Sequence, residues 1–256
     1  MDCRRSIALR SCSVAIQTKH PESMPIPIRI LPQPDDVTCG PTSLHAVYRY
    51  YGIEMGLEQV IDNVSSLEDG GTLAVMLGID AMERGLRARI YTYNLRVFDP
   101  TWANLTPAEL QQKLRDQLEY RRSNKMQEAS AAYDHFLDLG GEIRFDALSR
   151  SLLEGYLSRG IPILAGLNAT YLYNCSREYT NSKSETIYHD LKGESVGHFV
   201  VLCGMDEEDQ MLVADPYTEN PISGDNYYRA PVERLIHSIL LGVLTYDANL
   251  LVLEKA

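Results

Sequence analysis

The residues of this chain best suited to nucleophilic chemistry gather in one segment, QPDDVTCGPTSL, Gln33 to Leu44. Cys39 stands there at the mouth of a run with helical spacing, Leu44, Val47, Tyr48 and Tyr51. Free backbone N–H groups and the positive end of the helix dipole favour a thiolate at such a position, and the thiolate is the nucleophile. Gly40 leaves room for a substrate backbone to approach. Gln33, six residues upstream, carries an amide that can join the Cys39 N–H in holding a developing oxyanion. A lone cysteine is ordinarily a small buried apolar residue, and only these flanks argue for more.

A thiolate nucleophile needs an imidazole to hold its proton and return it to the leaving group. Of the 6 histidines, His198 opens the apolar run HFVVLC, and a second run, QMLVADP, returns after the polar turn MDEED. A hairpin turning between Asp206 and Glu207 sets His198 opposite Asp215, Val200 opposite Val213 and Leu202 opposite Met211. Asp215 then shares a face with the imidazole, fixes its tautomer and supports its cation, which completes a set of nucleophile, base and orienter. Cys175 and His189 make a second Cys/His combination, but their polar surroundings predict no strand or helix to hold them. Cys203 alternates onto the buried side of its strand. Tyr171, Tyr173, Tyr179 and Tyr188 are candidate lining for a peptide groove.

The elements that must carry these residues change character along the chain. Pro25, Pro27, Pro32 and Pro34 mark an extended entry after a polar extension over residues 1–24, and one domain is expected over 25–256. Periodicity predicts helices over about 40–51, 57–66, 72–84, 106–120, onward in part to 138, and 145–160, with one strand at 88–95. Thr38 is a candidate cap for the first of them. Short apolar, branched stretches follow at 161–167, 197–205 and 210–216, with a run from about Leu240 to Leu253. Helices first and a largely antiparallel sheet second define an α+β class. Residues 168–196, rich in Tyr, Ser and Asn, are too long for a passive turn and suit a binding loop.

Composition narrows the partners. With 24 basic against 35 acidic residues the net charge is −11, which repels nucleic acid and acidic membrane surfaces. No apolar run is long enough to span a bilayer, and Arg4, Arg5, Arg10 and Lys19 interrupt any secretory signal, so a cytoplasmic home is expected. The 5 cysteines form no CxxC pair and no zinc-ligand spacing, so no metal, cofactor or disulfide framework is expected.

Gln33, the run Thr38-Cys39-Gly40-Pro41-Thr42, the strand Gly197-His198-Phe199-Val200-Val201 and the strand end Ala214-Asp215-Pro216 resemble papain-like cysteine peptidases related to the bacteriocin-processing, double-glycine leader peptidases. The free-standing bacterial branch of that family is the best match, over most of residues 25–255. The resemblance implies a papain-like fold, a helical lobe followed by a sheet lobe. It also implies Cys39 as nucleophile, His198 as base, Asp215 as orienter and Gln33 as oxyanion donor. Gly40, Gly197 and Tyr171 are the expected contacts to a peptide or protein substrate. Transporter-linked relatives carry membrane spans and an ATPase, whereas no glycine-rich phosphate loop is present here, so transport-coupled cleavage is not expected. The pairs Gly70-Gly71 and Gly140-Gly141 read as turns rather than self-processing sites. The resulting expectation is a peptide or amide hydrolase working through a thioester. A silent peptide-binding domain and an acyl transferase are the alternatives.

Overall fold

Leu44, Ala46, Val47 and Tyr48 drive one helix into the centre of the molecule: α1, Cys39–Tyr51, is buried without interruption from Gly40 to Tyr48. Gly52 ends it at φ 77°, a left-handed conformation that glycine adopts without a Cβ clash. The computed structural model describes residues 25–68, 70–181 and 186–255, so the expected extension over 1–24 lies outside the described residues. Thr38 precedes α1 but does not cap it through its side chain; its hydroxyl turns back to the Asp35 carbonyl at 3.3 Å. The first-turn N–H groups beside Cys39 are therefore left to other partners.

Helices α2, Leu57–Asn63, and α3, Ala74–Glu83, follow and lead into β1, Leu86–Thr92. Pro107–Asp116 forms α4, started by a reciprocal pair in which Thr106 and Glu109 satisfy each other's backbone N–H. Ser123 caps α5, Asn124–Asp138. After Gly140-Gly141 the chain makes a short strand, β2, Glu142–Arg144, and α6 begins only at Arg150, running to Leu157. The helix expected from residue 145 starts later because the Ser149 hydroxyl accepts the Leu152 N–H, which makes Ser149 the cap.

The second half supplies β3, Ile163–Asn168; α7, Ala169–Tyr173; the hairpin β4, Glu178–Thr180, and β5, Thr186–Tyr188; then β6, Gly197–Met205, and β7, Gln210–Ala214. The expected loop over 168–196 thus contains a helix and a hairpin. Asn168 caps α7 by accepting the Tyr171 N–H at 2.9 Å, and Asn174 closes it in the left-handed region. Beyond lie β8, Tyr227–Pro231, α8, Val232–Leu241, and β9, Asn249–Lys255. The run from Leu240 to Leu253 is accordingly a helix end, a turn and a strand. Val232, Leu235 and Ile239 bury one face of α8, an amphipathic spacing that identifies the helix once Pro231 is seen as its start.

One sheet unites the strands in the order β2-β1-β9-β3-β6-β7-β8, antiparallel except for β1 with β2. This is the expected α+β class with a mostly antiparallel sheet, but the division into lobes is less clean than the sequence order suggests. β1 and β2 come from the helix-rich half, and β9 lies between β1 and β3. Gly166 makes this centre possible: a Cβ there would lie 2.3 Å from the Asp247 carbonyl oxygen and 3.1 Å from the Phe199 ring. Backbone cannot yield as a flexible side chain does, so Gly166→Ala should destabilise the protein by about 1–3 kcal/mol. A urea midpoint shifted down with the slope unchanged would report it; an unshifted midpoint would contradict the close approach.

Candidate active site

Cys39, as the first residue of α1, is half-buried, with no acidic side chain in the helix's first turn to offset the dipole. α1 is held to the histidine strand by Ser43, whose hydroxyl donates to the Phe199 carbonyl at 3.2 Å. That contact places Cys39 beside His198, close enough for the thiol to favour the charged imidazole. His198 Nε2 lies 2.8 Å from Asp215 Oδ1, which leaves Nδ1 for the sulfur. The structure therefore brings together the three residues that the sequence singled out.

The register that joins them is not the one expected. Val201 pairs with Ala214 and Leu202 with Val213; the pairing then slips, so that Gly204 faces Leu212 and Met205 faces Met211. The pairing jumps across Cys203, which bulges there, and the connecting turn is longer, with Asp209 left-handed at φ 58° and Asp206 Oδ1 accepting the N–H groups of Glu208 and Gln210. Asp215 follows β7 and reaches His198 diagonally rather than from directly opposite. Asn226 pins it: its carbonyl accepts the Asp215 N–H, and its side-chain amide donates to the Asp215 carbonyl at 2.6 Å.

Asp215 is wholly buried and fully engaged. Oδ1 accepts from His198 and from the Tyr217 N–H at 2.9 Å, while Oδ2 accepts the hydroxyls of Tyr173 and Tyr228, each at 2.8 Å. Burial alone would raise its pKa, but the imidazole and these donors prevail and hold it below the usual carboxylate range. For His198, burial opposes the cation, and Asp215 together with Cys39 overcomes it, so the imidazole is held protonated well above its ordinary range. The rings of Tyr173 and Tyr217 stand 6.2 and 6.5 Å from the imidazole and wall it from water. Tyr173 and Tyr228 carried no sequence signal for this role. Tyr173, expected to line a groove, is instead a partner of Asp215.

The remaining expected residues fall into different places. Gln33 is tied beside the site by its backbone N–H, which donates to the Pro216 carbonyl at 2.9 Å; its side-chain nitrogen donates to the Asp35 carbonyl at 2.7 Å. Gly40 is buried with its Cα turned to Phe199 and Leu77, so it is a packing position rather than an opening for substrate. Gly197 is required for another reason: a Cβ there would overlap the Asp247 carboxylate. Tyr171 lines a cavity of about 340 Å³ with Asn168, Thr170, Cys175, Ser195 and Leu244. Cys175 and His189 do not pair; the thiol faces the Thr170 carbonyl, and His189 Nδ1 accepts the N–H groups of Leu191 and Lys192. Cys203 is buried as expected, and burial pushes its thiol up to about 12. The β4–β5 hairpin abuts the site from outside, with the Thr186 hydroxyl 3.4 Å from Asp36 Oδ2. Among the described residues no group of three or more His, Cys, Asp or Glu could hold a metal ion, and no helix is long and apolar enough to cross a membrane.

The model of the peptidase C39-like family matches residues 25–234, which include Cys39, His198, Asp215 and the two tyrosines bonded to Asp215. The chain belongs to that family. C39-like membership supports a cysteine peptidase type of function, on the α+β fold described above. Similar solved structures include a double glycine motif protease from an AMS/PCAT transporter in complex with the leader peptide, 17% identical, covering 91% of this chain and 94% of that one with a TM-score of 0.44. The peptidase domain of Streptococcus ComA, a bifunctional ABC transporter of a quorum-sensing pathway, is 13% identical, with 90% and 99% covered and a TM-score of 0.42. A putative C39-like peptidase from Bacillus anthracis is 13% identical, with 91% and 98% covered and a TM-score of 0.46. No curated protein matches the chain.

One further carboxyl in this C39-like chain was not anticipated. Asp247 is buried against Gly197, the neighbour of His198, and burial pushes it up to about 7 despite the Thr245 hydroxyl and the charges of Lys125 and His198. Unfolded, the same group titrates near 3.9, so between about pH 4 and 7 the native state holds a proton that the unfolded chain has lost. Its contribution to stability is complete below that window and falls as pH rises through it. Asp247→Asn should therefore raise the melting temperature more at pH 8 than at pH 5 by scanning calorimetry. An equal change at both pH values would show that the group does not titrate in that window.

Proposed function

We propose that the chain is a peptide-bond hydrolase in which Cys39 is the nucleophile, His198 the general acid and base, Asp215 the orienter and Gln33 an oxyanion donor, within one domain over residues 25–256. The observation that carries this reading is the line of adjacent groups from the thiol at a helix mouth to the imidazole, and by a 2.8 Å hydrogen bond to a buried and fully engaged carboxylate. The Cys39 thiolate attacks the peptide carbonyl carbon, and the oxyanion is held by the Cys39 N–H with Gln33. His198 then gives its proton to the departing amine as the C–N bond breaks, leaving a thioester. Water attacks the thioester as His198 takes its proton; the C–S bond breaks, an acid product leaves, and the thiolate–imidazolium pair is restored. Gln33 has two amide hydrogens, and the Asp35 carbonyl occupies one, so the other remains for the substrate. A peptide substrate fits this chemistry, as does the leader peptide bound by one of the structural neighbours.

Limiting iodoacetamide at about pH 6 should label Cys39 well ahead of Cys203 and of the ordinary thiols Cys3 and Cys12, and His198→Ala should abolish the lead. Equal labelling of all accessible thiols by mass spectrometry would defeat the reading. On a peptide substrate, Cys39→Ala and His198→Ala should each abolish turnover as completely as both together, because the two act as a unit. Gln33→Ala should lower kcat by roughly 10² to 10³, and Asp215→Asn should fall between these limits. Turnover should survive EDTA and fail on alkylation. Because the imidazole is held protonated above its ordinary range, the alkaline fall in kcat/KM should lie well above the unperturbed value of about 6.5, and Asp215→Asn should move that fall to lower pH. Selective labelling of Cys39 without turnover on any peptide would favour the silent binding domain instead.

A further inference from the structure

We propose that Tyr173 and Tyr228 are positioning residues for this site, acting jointly through Asp215: their hydroxyls clamp Oδ2, which keeps the carboxylate charged and its other oxygen turned to His198. The proposal rests on the reading of Cys39, His198 and Asp215 as a catalytic set. A buried carboxylate bonded through one oxygen only can rotate about its Cβ–Cγ bond or take up a proton; one with both oxygens engaged is fixed in angle and costly to protonate. Both hydroxyls donate to the same atom from different parts of the fold, Tyr173 from the end of α7 and Tyr228 from β8. Neither phenol is free to wander. α7 is capped by Asn168, and its last carbonyls, those of Tyr171 and Leu172, accept the Arg234 guanidinium at 2.8 and 2.9 Å. Tyr228 is held in the ladder opposite Val213.

The protons stay on the phenols. Burial and the neighbouring Asp215 charge push both hydroxyls well above their ordinary range, so they remain donors. The other ionisable groups acting on the imidazole are Cys39 from α1, Glu178 from β4 and Asp247 ahead of β9. Glu178 is itself raised by burial and by Asp36, and Asp247 carries a proton up to about neutrality. Asp215 is the carboxylate hydrogen-bonded to the imidazole, and the tyrosines maintain its charge.

The test uses Tyr173→Phe, Tyr228→Phe and the double variant, each alone and with Asp215→Asn. The rate constant for iodoacetamide alkylation of Cys39 is followed by mass spectrometry across pH 4 to 9, with circular dichroism to confirm folding. Each Phe retains the ring and removes one donor to a charged group. The expected result is a roughly threefold to thirtyfold loss of the Cys39 rate on the acid side, with the acid limb moved to higher pH as Asp215 becomes easier to protonate. With Asp215→Asn in place, the same changes should alter the rate less than about twofold, since their route of action is gone. Wild-type limbs in the folded Phe variants, or losses that multiply fully with that of Asp215→Asn, would overturn the proposal and leave the tyrosines as packing. If wild-type Cys39 reacts no faster than an ordinary thiol, the catalytic reading itself fails and the clamp with it. Should the double variant not fold, the two single variants carry the same comparison.

Discussion

A carboxylate with no access to water dictates the arrangement around it. Asp215 can keep its charge inside the protein only if each oxygen is met by donors, and the structure supplies an imidazole, a backbone N–H and two phenols. Those donors come from β6, the turn after β7, α7 and β8, so satisfying one side chain requires four stretches of chain to be in place together. The imidazole is held between this buried anion and the thiol of Cys39. Its cationic character is thus a property of the assembled core rather than of His198 alone.

The site was legible where the physical signal is local. Cys39 with its glycine, proline and helical periodicity marks a helix start, and α1 begins at that residue. The apolar run from Gly197 to Met205 is a strand over its whole length. Register was not legible, because the bulge across Cys203 and the left-handed Asp209 change the count of residues between partners without altering the hydrophobic alternation from which the count was made. Asp215 still meets His198, since a carboxylate just beyond a strand can reach across a diagonal. The tyrosines on Oδ2 were beyond reach for a different reason: a phenol buried for a hydrogen bond looks in sequence like any other aromatic residue of a core or groove.

Glycines show the same division between local and distant causes. Gly52 follows from helix termination and could be placed from its neighbours. Gly166 and Gly197 are demanded by the stretch around Asp247, some fifty to eighty residues away, whose carbonyl and carboxylate occupy the space where their Cβ atoms would lie. Nothing near either glycine announces this. The helix-rich half and the sheet half are tied together by β9, which is packed between strands contributed by each.

The placement of β9 also sets the order in which the protein can come into being. During synthesis α1, with Cys39 at its start, leaves the ribosome early, but β1 and β3 each present an open edge until residues 249–255 arrive to fill the gap between them. Once β3 is made, a nascent chain therefore carries two unpaired hydrophobic edges until β9 follows, the kind of surface that chaperones shield and aggregates exploit. The turn that carries Asp247 to Gly166 and Gly197 arrives with the same late segment. A chain made only as far as β7 thus holds Cys39 and His198 before it holds the strand that ties their sheet together.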